Sequence, residues 1–190
     1  MNHEEFKELL PHFTTNQMKT LVAALELAEE GLAIFPARPD KAPYIKDPKN
    51  NATINSDQII KWWLQFPNAL IGLPTGKRNG LLVIDIDNKE GQKGYESLKQ
   101  LEALHGSLPG TYTVTTPGGL HIYFRYPLDA GITIGAGALG PNLDHRGEGG
   151  YVIAEGSVLS DDVQYAGCND APIAEAPAWL IDLLKKKETK

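Results

Sequence analysis

Two aspartates, one residue apart, close the most apolar run of the chain, Leu81-Leu82-Val83-Ile84-Asp85-Ile86-Asp87. Side chains alternate faces along a strand, so Asp85 and Asp87 point the same way, roughly 6.6–6.8 Å apart along the backbone. Ile84 and Ile86 then face a core. Two carboxylates on one face repel unless a cation lies between them, and Mg²⁺ or Mn²⁺ with substrate phosphates is the usual tenant. The same pair can equally do no more than solvate a strand end. A second group is Thr115-Thr116-Pro117-Gly118-Gly119-Leu120-His121-Ile122-Tyr123-Phe124. Gly118 and Gly119 permit close backbone approach to a ligand, and their amides can cradle a phosphate. His121 shares a strand face with Tyr123 and Arg125; it can serve phosphate oxygens or proton transfer, or be a satisfied structural histidine. In the third group, residues 142–153, Asp144 and Arg146 share a face if the segment is extended. One suits a metal and the other a phosphate, although a surface ion pair in a glycine-rich turn needs the same residues. Asp144, His145 and Glu148 match no strong metal signature. Cys168 reads as a packed, inert thiol rather than a nucleophile paired with His145.

The elements that must carry these groups follow from periodicity. A short polar helix is expected over residues 4–10. Thr14-Thr15-Asn16-Gln17 is a capping box opening an amphipathic helix with Leu21, Leu25 and Ala28 on one face, ended by Gly31. Residues 32–36 predict a short buried strand, and residues 37–55 a long ordered loop or lid. Ser56 is expected to cap a helix carrying Ile59, Ile60, Trp63 and Phe66. Strands follow at 69–73 and 81–87, with a turn at Pro74-Thr75-Gly76. A helix after Gly94 places Tyr95, Leu98, Leu101 and Leu104 along one stripe. Residues 111–115 and 120–126 flank Pro117-Gly118-Gly119 as a hairpin. Residues 129–142 show no pattern, 151–154 form a strand, and 178–187 a closing helix with a basic end. The pattern is mixed α/β, hairpin-rich in its second half.

Composition bounds the function. The 190 residues suit one domain, with room for two lobes but not two independent enzymes. With 42% apolar and 22% charged residues, wholesale disorder is excluded. No stretch approaches the roughly 20 apolar residues that cross a bilayer. No basic region followed by an apolar run marks a secretory leader. The single cysteine excludes an internal disulfide and a cysteine-rich zinc site, and a cytoplasmic location is expected. A net charge of −6 argues against tight autonomous DNA binding through many phosphates. A local basic groove, or a nucleotide held through a metal, stays compatible with it.

Taken in order, Gly31-Leu32-Ala33-Ile34-Phe35-Pro36, Lys41-Ala42-Pro43, Trp62-Trp63, Ile71-Gly72-Leu73-Pro74-Thr75-Gly76, Val83-Ile84-Asp85-Ile86-Asp87, the Gly118-Gly119 strand and Leu143-Asp144-His145-Arg146-Gly147-Glu148-Gly149-Gly150-Tyr151-Val152 are similar to one family. They resemble the bifunctional primase-polymerase N-terminal domain of the archaeo-eukaryotic primase superfamily. The likeness runs from about residue 20 to about residue 167.

The resemblance implies an α/β (α+β) primase-polymerase catalytic core over residues 14–187, after an N-terminal extension of residues 1–13. It further implies an N-terminal α/β lobe, an RRM-like lobe and an active-site cleft between them. The implied activity is template-directed nucleotidyl transfer, making primers, extending DNA, or both, with two Mg²⁺ or Mn²⁺ ions and no zinc. Asp85, Asp87 and Asp144 would hold the metals. His121 and Arg146 would meet the triphosphate, with Gly118, Gly119 and Lys41 also at the nucleotide. Implied partners are a single-stranded DNA template, NTPs or dNTPs, and a helicase domain or protein; no membrane is involved. The family habit also suggests a mobile element. A catalytically silent binding module of the same fold and a metal-dependent nuclease are the alternatives. Two departures stand out. Pro117 occupies a place where relatives often carry serine, removing a hydroxyl contact. Glu155-Gly156-Ser157 stands where many show two prolines before the serine. Many relatives continue into a helicase or helical template-binding region, so the chain is expected to be an excised domain or a stand-alone member.

Overall fold

The structure, a computed structural model, describes residues 11, 13–91, 93–160 and 163–185. The helix expected at 4–10 and most of the N-terminal extension lie outside the described residues. The chain divides into two compact units. The first comprises the chain up to Pro74 together with Ile153–Ala166; the second comprises Thr75–Val152 and the chain from Gly167 onward.

In the first unit, helix α1 (Thr15–Glu29) starts at the expected capping box: Gln17 N donates to Thr14 Oγ1 at 3.3 Å, and Thr14 N donates to Gln17 Oε1 at 2.8 Å. Its buried face is Thr20, Leu21, Ala24 and Ala28, with Leu25 half-buried at its edge. Strand β1 (Phe35–Ala37) starts later than the apolar run predicts, because Ile34 is diverted into a bridge with Thr53. The 37–55 segment is ordered and includes a short helix, α2 (Pro48–Asn51). Helix α3 (Ser56–Gln65) is capped by Asn55, not Ser56: the Asn55 side chain accepts from Gln58 N at 2.9 Å, which makes Ser56 the first helical residue. Ile59, Ile60 and Trp63 are buried as expected, while Phe66 leaves the helix and stacks on Tyr44. Strand β2 (Leu70–Pro74) pairs antiparallel with β1, and the Phe35 ring covers Gly72, where any β-carbon would collide with it. With β8 (Tyr151–Ile153) they form a sheet ordered β1-β2-β8. A small hairpin, β9 (Val158–Ser160) with β10 (Val163–Gln164), was not foreseen. Ser157, fully buried, accepts the Ile71 N–H on its hydroxyl at 2.9 Å.

The second unit is built on β3 (Leu81–Asp87), helix α4 (Gly94–His105), β4 (Thr113–Thr116), β5 (Gly119–Arg125), β6 (Gly135–Ala136) and β7 (Leu143–Arg146). Two short strands, β11 (Ala166–Gly167) and β12 (Ala174–Glu175), and helix α5 (Ala178–Leu184) follow. The sheet order is β11-β4-β5-β3-β7-β6, with β12 parallel to β5. Leu82, Ile84 and Ile86 of β3 enter the core with Leu101, Phe124, Leu143, Leu180 and Leu184. The expected α4 stripe holds only in its middle. Leu101 is buried and Leu98 half-buried, but Tyr95 is 43% and Leu104 79% exposed. A spacing of three slips about 60° per step around a 3.6-residue helix, so four such residues cannot share one face. Helix α5 stops at Leu184, short of the basic end expected for it, and Lys186 and Lys187 lie outside the described residues. Cys168 is exposed, not packed.

No helix among the described residues is long and apolar enough to cross a membrane.

Candidate active site

Register gathers the chemistry. Strand β3 pairs antiparallel with both β5 and β7, setting Asp144 opposite Asp85 and Asp85 opposite His121. The next row places Arg146 opposite Val83, and Val83 opposite Tyr123. Asp87 sits opposite Gly119 at the end of the strand. Period-two alternation therefore puts Asp85, Asp87, His121, Asp144 and Arg146 on one sheet face, while Ile84, Ile86 and Leu143 pack into the core behind it. Lys41 belongs to the first unit, in a turn where it adopts a left-handed backbone (φ 73°).

Arg146 Nη2 donates to Asp85 Oδ2 at 3.3 Å and to Asp144 Oδ2 at 3.1 Å. His121 Nε2 lies 3.5 Å from Asp85 Oδ1. Burial by itself pushes the Asp85 carboxyl up. The hydrogen bond and electrostatic pull of His121, joined by Arg146, outweigh it and hold the group below the ordinary carboxylate value. The Asp87 carboxylate makes no hydrogen bond or ion pair among the described residues.

The loops at the ends of β3 and β7 are pinned by contacts that the local sequence does not announce. Asp87 N donates to Asn142 O at 3.0 Å, with Asn142 itself left-handed (φ 60°), a conformation asparagine tolerates better than most residues. Asn88 N donates to Gly118 O at 2.6 Å, and the Asn88 side chain accepts from Tyr95 N at 3.2 Å, serving the first turn of α4. At the far end of β7, Thr75 Oγ1 donates to Gly147 O at 2.7 Å and Lys77 N donates to Glu148 Oε2 at 2.8 Å. The asparagines and the buried threonine were the only sequence signals for this bracing.

The glycine pair divides. A β-carbon on Gly118 would lie 3.5 Å from Asp87 Oδ1, an ordinary contact. One on Gly119 would fall on the Ile86 carbonyl oxygen. Glycine at 119 is thus required by the neighbouring backbone of β3, where the sequence suggested approach to a ligand.

His145 is on the opposite side of β7 from Asp144 and is buried, with Gly135 against its ring. Among the described residues no three His, Cys, Asp or Glu side chains surround a common point; this holds for Asp144, His145 and Glu148, and equally for Asp85, Asp87 and Asp144, which share a sheet face without converging on one centre. Burial lowers the His145 pKa; Asp144 opposes this in part and Arg146 adds to it. The native state holds the ring neutral where the unfolded chain takes up a proton, so this contribution to stability is complete above about pH 6.5 and is lost as pH falls below it. Melting curves of metal-free protein between pH 7.5 and 5 are expected to show that slope, and His145→Phe to flatten it. An unchanged slope in the variant would assign the acid sensitivity elsewhere.

By fold the chain is a mixed α/β protein whose carboxylates, histidine and arginine meet on one sheet face of its second unit. Within that class it belongs to the bifunctional DNA primase/polymerase N-terminal family, whose model matches residues 24–179. Membership supports a nucleotidyltransferase-type enzyme. A search of curated proteins gave no match.

Proposed function

We propose that this chain catalyses template-directed nucleotidyl transfer on single-stranded DNA, with Asp85, Asp87 and Asp144 holding Mg²⁺ or Mn²⁺. The observation that carries the reading is the cross-strand row Asp144–Asp85–His121, with Asp87 two residues further along the same face. The donor set fits the ions by donor type rather than by a preformed cage: hard carboxylate oxygens on paired strands, one of them held ionised, with Arg146 between two of them. When bound, two such ions stabilise the attacking and leaving oxygens of an in-line displacement.

The chain's own residues do the rest. Rigid pairing of β3 with β5 and β7 fixes the acids without loop reorganisation. Arg146 offers a planar, permanently charged donor to the triphosphate. His121 offers Nε2 beside the same carboxylate. Gly118 brings backbone close to Asp87, and Lys41 is assigned to the nucleotide on the resemblance of its segment. An RRM-like second unit is supported by the order β4-β5-β3-β7 with α4 between β3 and β4 in sequence. NTPs or dNTPs are the substrates, and a helicase domain or protein is a further partner in this reading.

The Arg146 bridge is also what a catalytically silent module of the same fold, lacking a working metal and nucleotide site, would display, so the test separates the two. Labelled nucleotides are offered on single-stranded template, with and without primer, in Mg²⁺ or Mn²⁺. Products on unprimed template establish a primase; extension from a primer alone establishes a polymerase. Shortened strands indicate a nuclease. No product, with no thermal shift from Mn²⁺ plus nucleotide, leaves the silent module.

A further inference from the structure

Asp85 and Asp144 stand directly opposite each other across β3 and β7, a pairing in which like charges destabilise a sheet. Here the chain relieves that repulsion itself. A single nitrogen, Arg146 Nη2, reaches both carboxylates, at 3.3 and 3.1 Å, while His121 takes the remaining oxygen of Asp85 at 3.5 Å. The two acid side chains are 19% and 23% exposed and Arg146 is 32% exposed, so all three are partly reachable from solvent. The three acids are therefore unequal: two share one cation, and the third, Asp87, has no such partner among the described residues.

We propose that Arg146 is the resident counter-cation of Asp85 and Asp144, exchanged for a divalent cation when a nucleoside triphosphate gives the guanidinium phosphate oxygens in return. This rests on the metal-binding reading above. A guanidinium matches phosphate in bidentate fashion, and a small divalent ion prefers carboxylate. Trading partners leaves neither the carboxylate pair nor the guanidinium without an opposite charge. Entry of the cation alone strands the guanidinium beside a new positive charge, and entry of the triphosphate alone takes from two facing carboxylates the one cation they share, leaving only His121 beside Asp85. Cation and nucleotide binding are thereby coupled, and by linkage each strengthens the other equally.

The test is Mn²⁺ binding to the full chain without nucleotide, followed by electron paramagnetic resonance. Each variant is first melted in EDTA to establish that it folds. Arg146→Gln is expected to bind Mn²⁺ about tenfold tighter than wild type, the factor that removing one charge-assisted competitor corresponds to. Arg146→Lys, which keeps the charge without the planar fork, falls between them and carries the test if the glutamine variant does not fold. Arg125→Gln removes an arginine further along β5 and is expected to stay within about twofold of wild type. Equal or weaker Mn²⁺ binding in the Arg146 variants, with wild type binding, overturns the exchange and leaves the metal site standing. An equal gain in Arg125→Gln overturns it too, since a general field would then explain the effect. Absence of Mn²⁺ binding in every variant overturns the metal site itself.

Discussion

Asp87→Asn is expected to cut nucleotide incorporation by about 10²–10³-fold, the usual cost of losing one group aimed at charge that develops in the transition state. It should do so without unfolding the protein. Asp87 contributes a backbone N–H to Asn142 O, which asparagine keeps, and its carboxylate has no partner among the described residues. Removing that charge from the metal-free chain is therefore expected to shift stability by no more than about 0.5 kcal/mol. Asp85 is a poorer probe, because its carboxylate also anchors His121 and Arg146, and its loss perturbs the row as well as the chemistry. Initial rates on a primed template, with melting curves in EDTA, separate the two effects. Incorporation within about tenfold of wild type would remove Asp87 from the metal set.

Gly119→Ala is expected to destabilise the second unit by about 3 kcal/mol, or about 6–12 °C in melting temperature for a chain of this length. The new methyl group would meet the backbone of Ile86, which cannot rotate away as a side chain can. Relief requires β5 to separate from β3 at the rung that pairs Gly119 with Asp87. Gly118→Ala is the internal comparison. Its methyl makes an ordinary 3.5 Å contact with Asp87 Oδ1, so its melting temperature should stay close to wild type. Equal melting temperatures for the two variants would contradict the close pairing of β3 and β5.

These glycines show what a sequence can and cannot disclose. Residue types and period-two alternation were enough to draw β3, the hairpin of β4 and β5, and a shared face for Asp85 and Asp87. Thr14 and Gln17 announced the start of α1 because a capping box is local. The reason for Gly119 was not local: it lies in a strand more than 30 residues away in sequence, and only pairing reveals it. The Arg146 bridge likewise joins residues 61 positions apart, and depends on the register of β3 against β7. Strands β9 to β12 are two or three residues long, too short for any periodicity, and exist because a neighbour supplies hydrogen bonds. Leu104 and Cys168 failed in the other direction. Both look like core residues by type, yet the surfaces they occupy receive no cover from the chain's own described residues.

The route of the chain through its two units has a practical side for anyone wishing to dissect it. The backbone passes from one unit to the other at Pro74, at Val152 and again at Ala166. Neither unit is a contiguous stretch, so no single cut releases either one whole. A fragment ending at Pro74 would lose Ser157 and leave the Ile71 amide without its buried acceptor, a penalty of about 1–3 kcal/mol before any lost packing is counted. The complementary fragment would carry Ile153–Ala166 with no β2 to receive it. Reassembly by co-expressing two pieces, or minimal versions built by excising the 153–166 insertion, must therefore respect a discontinuous architecture that a linear domain diagram would not reveal.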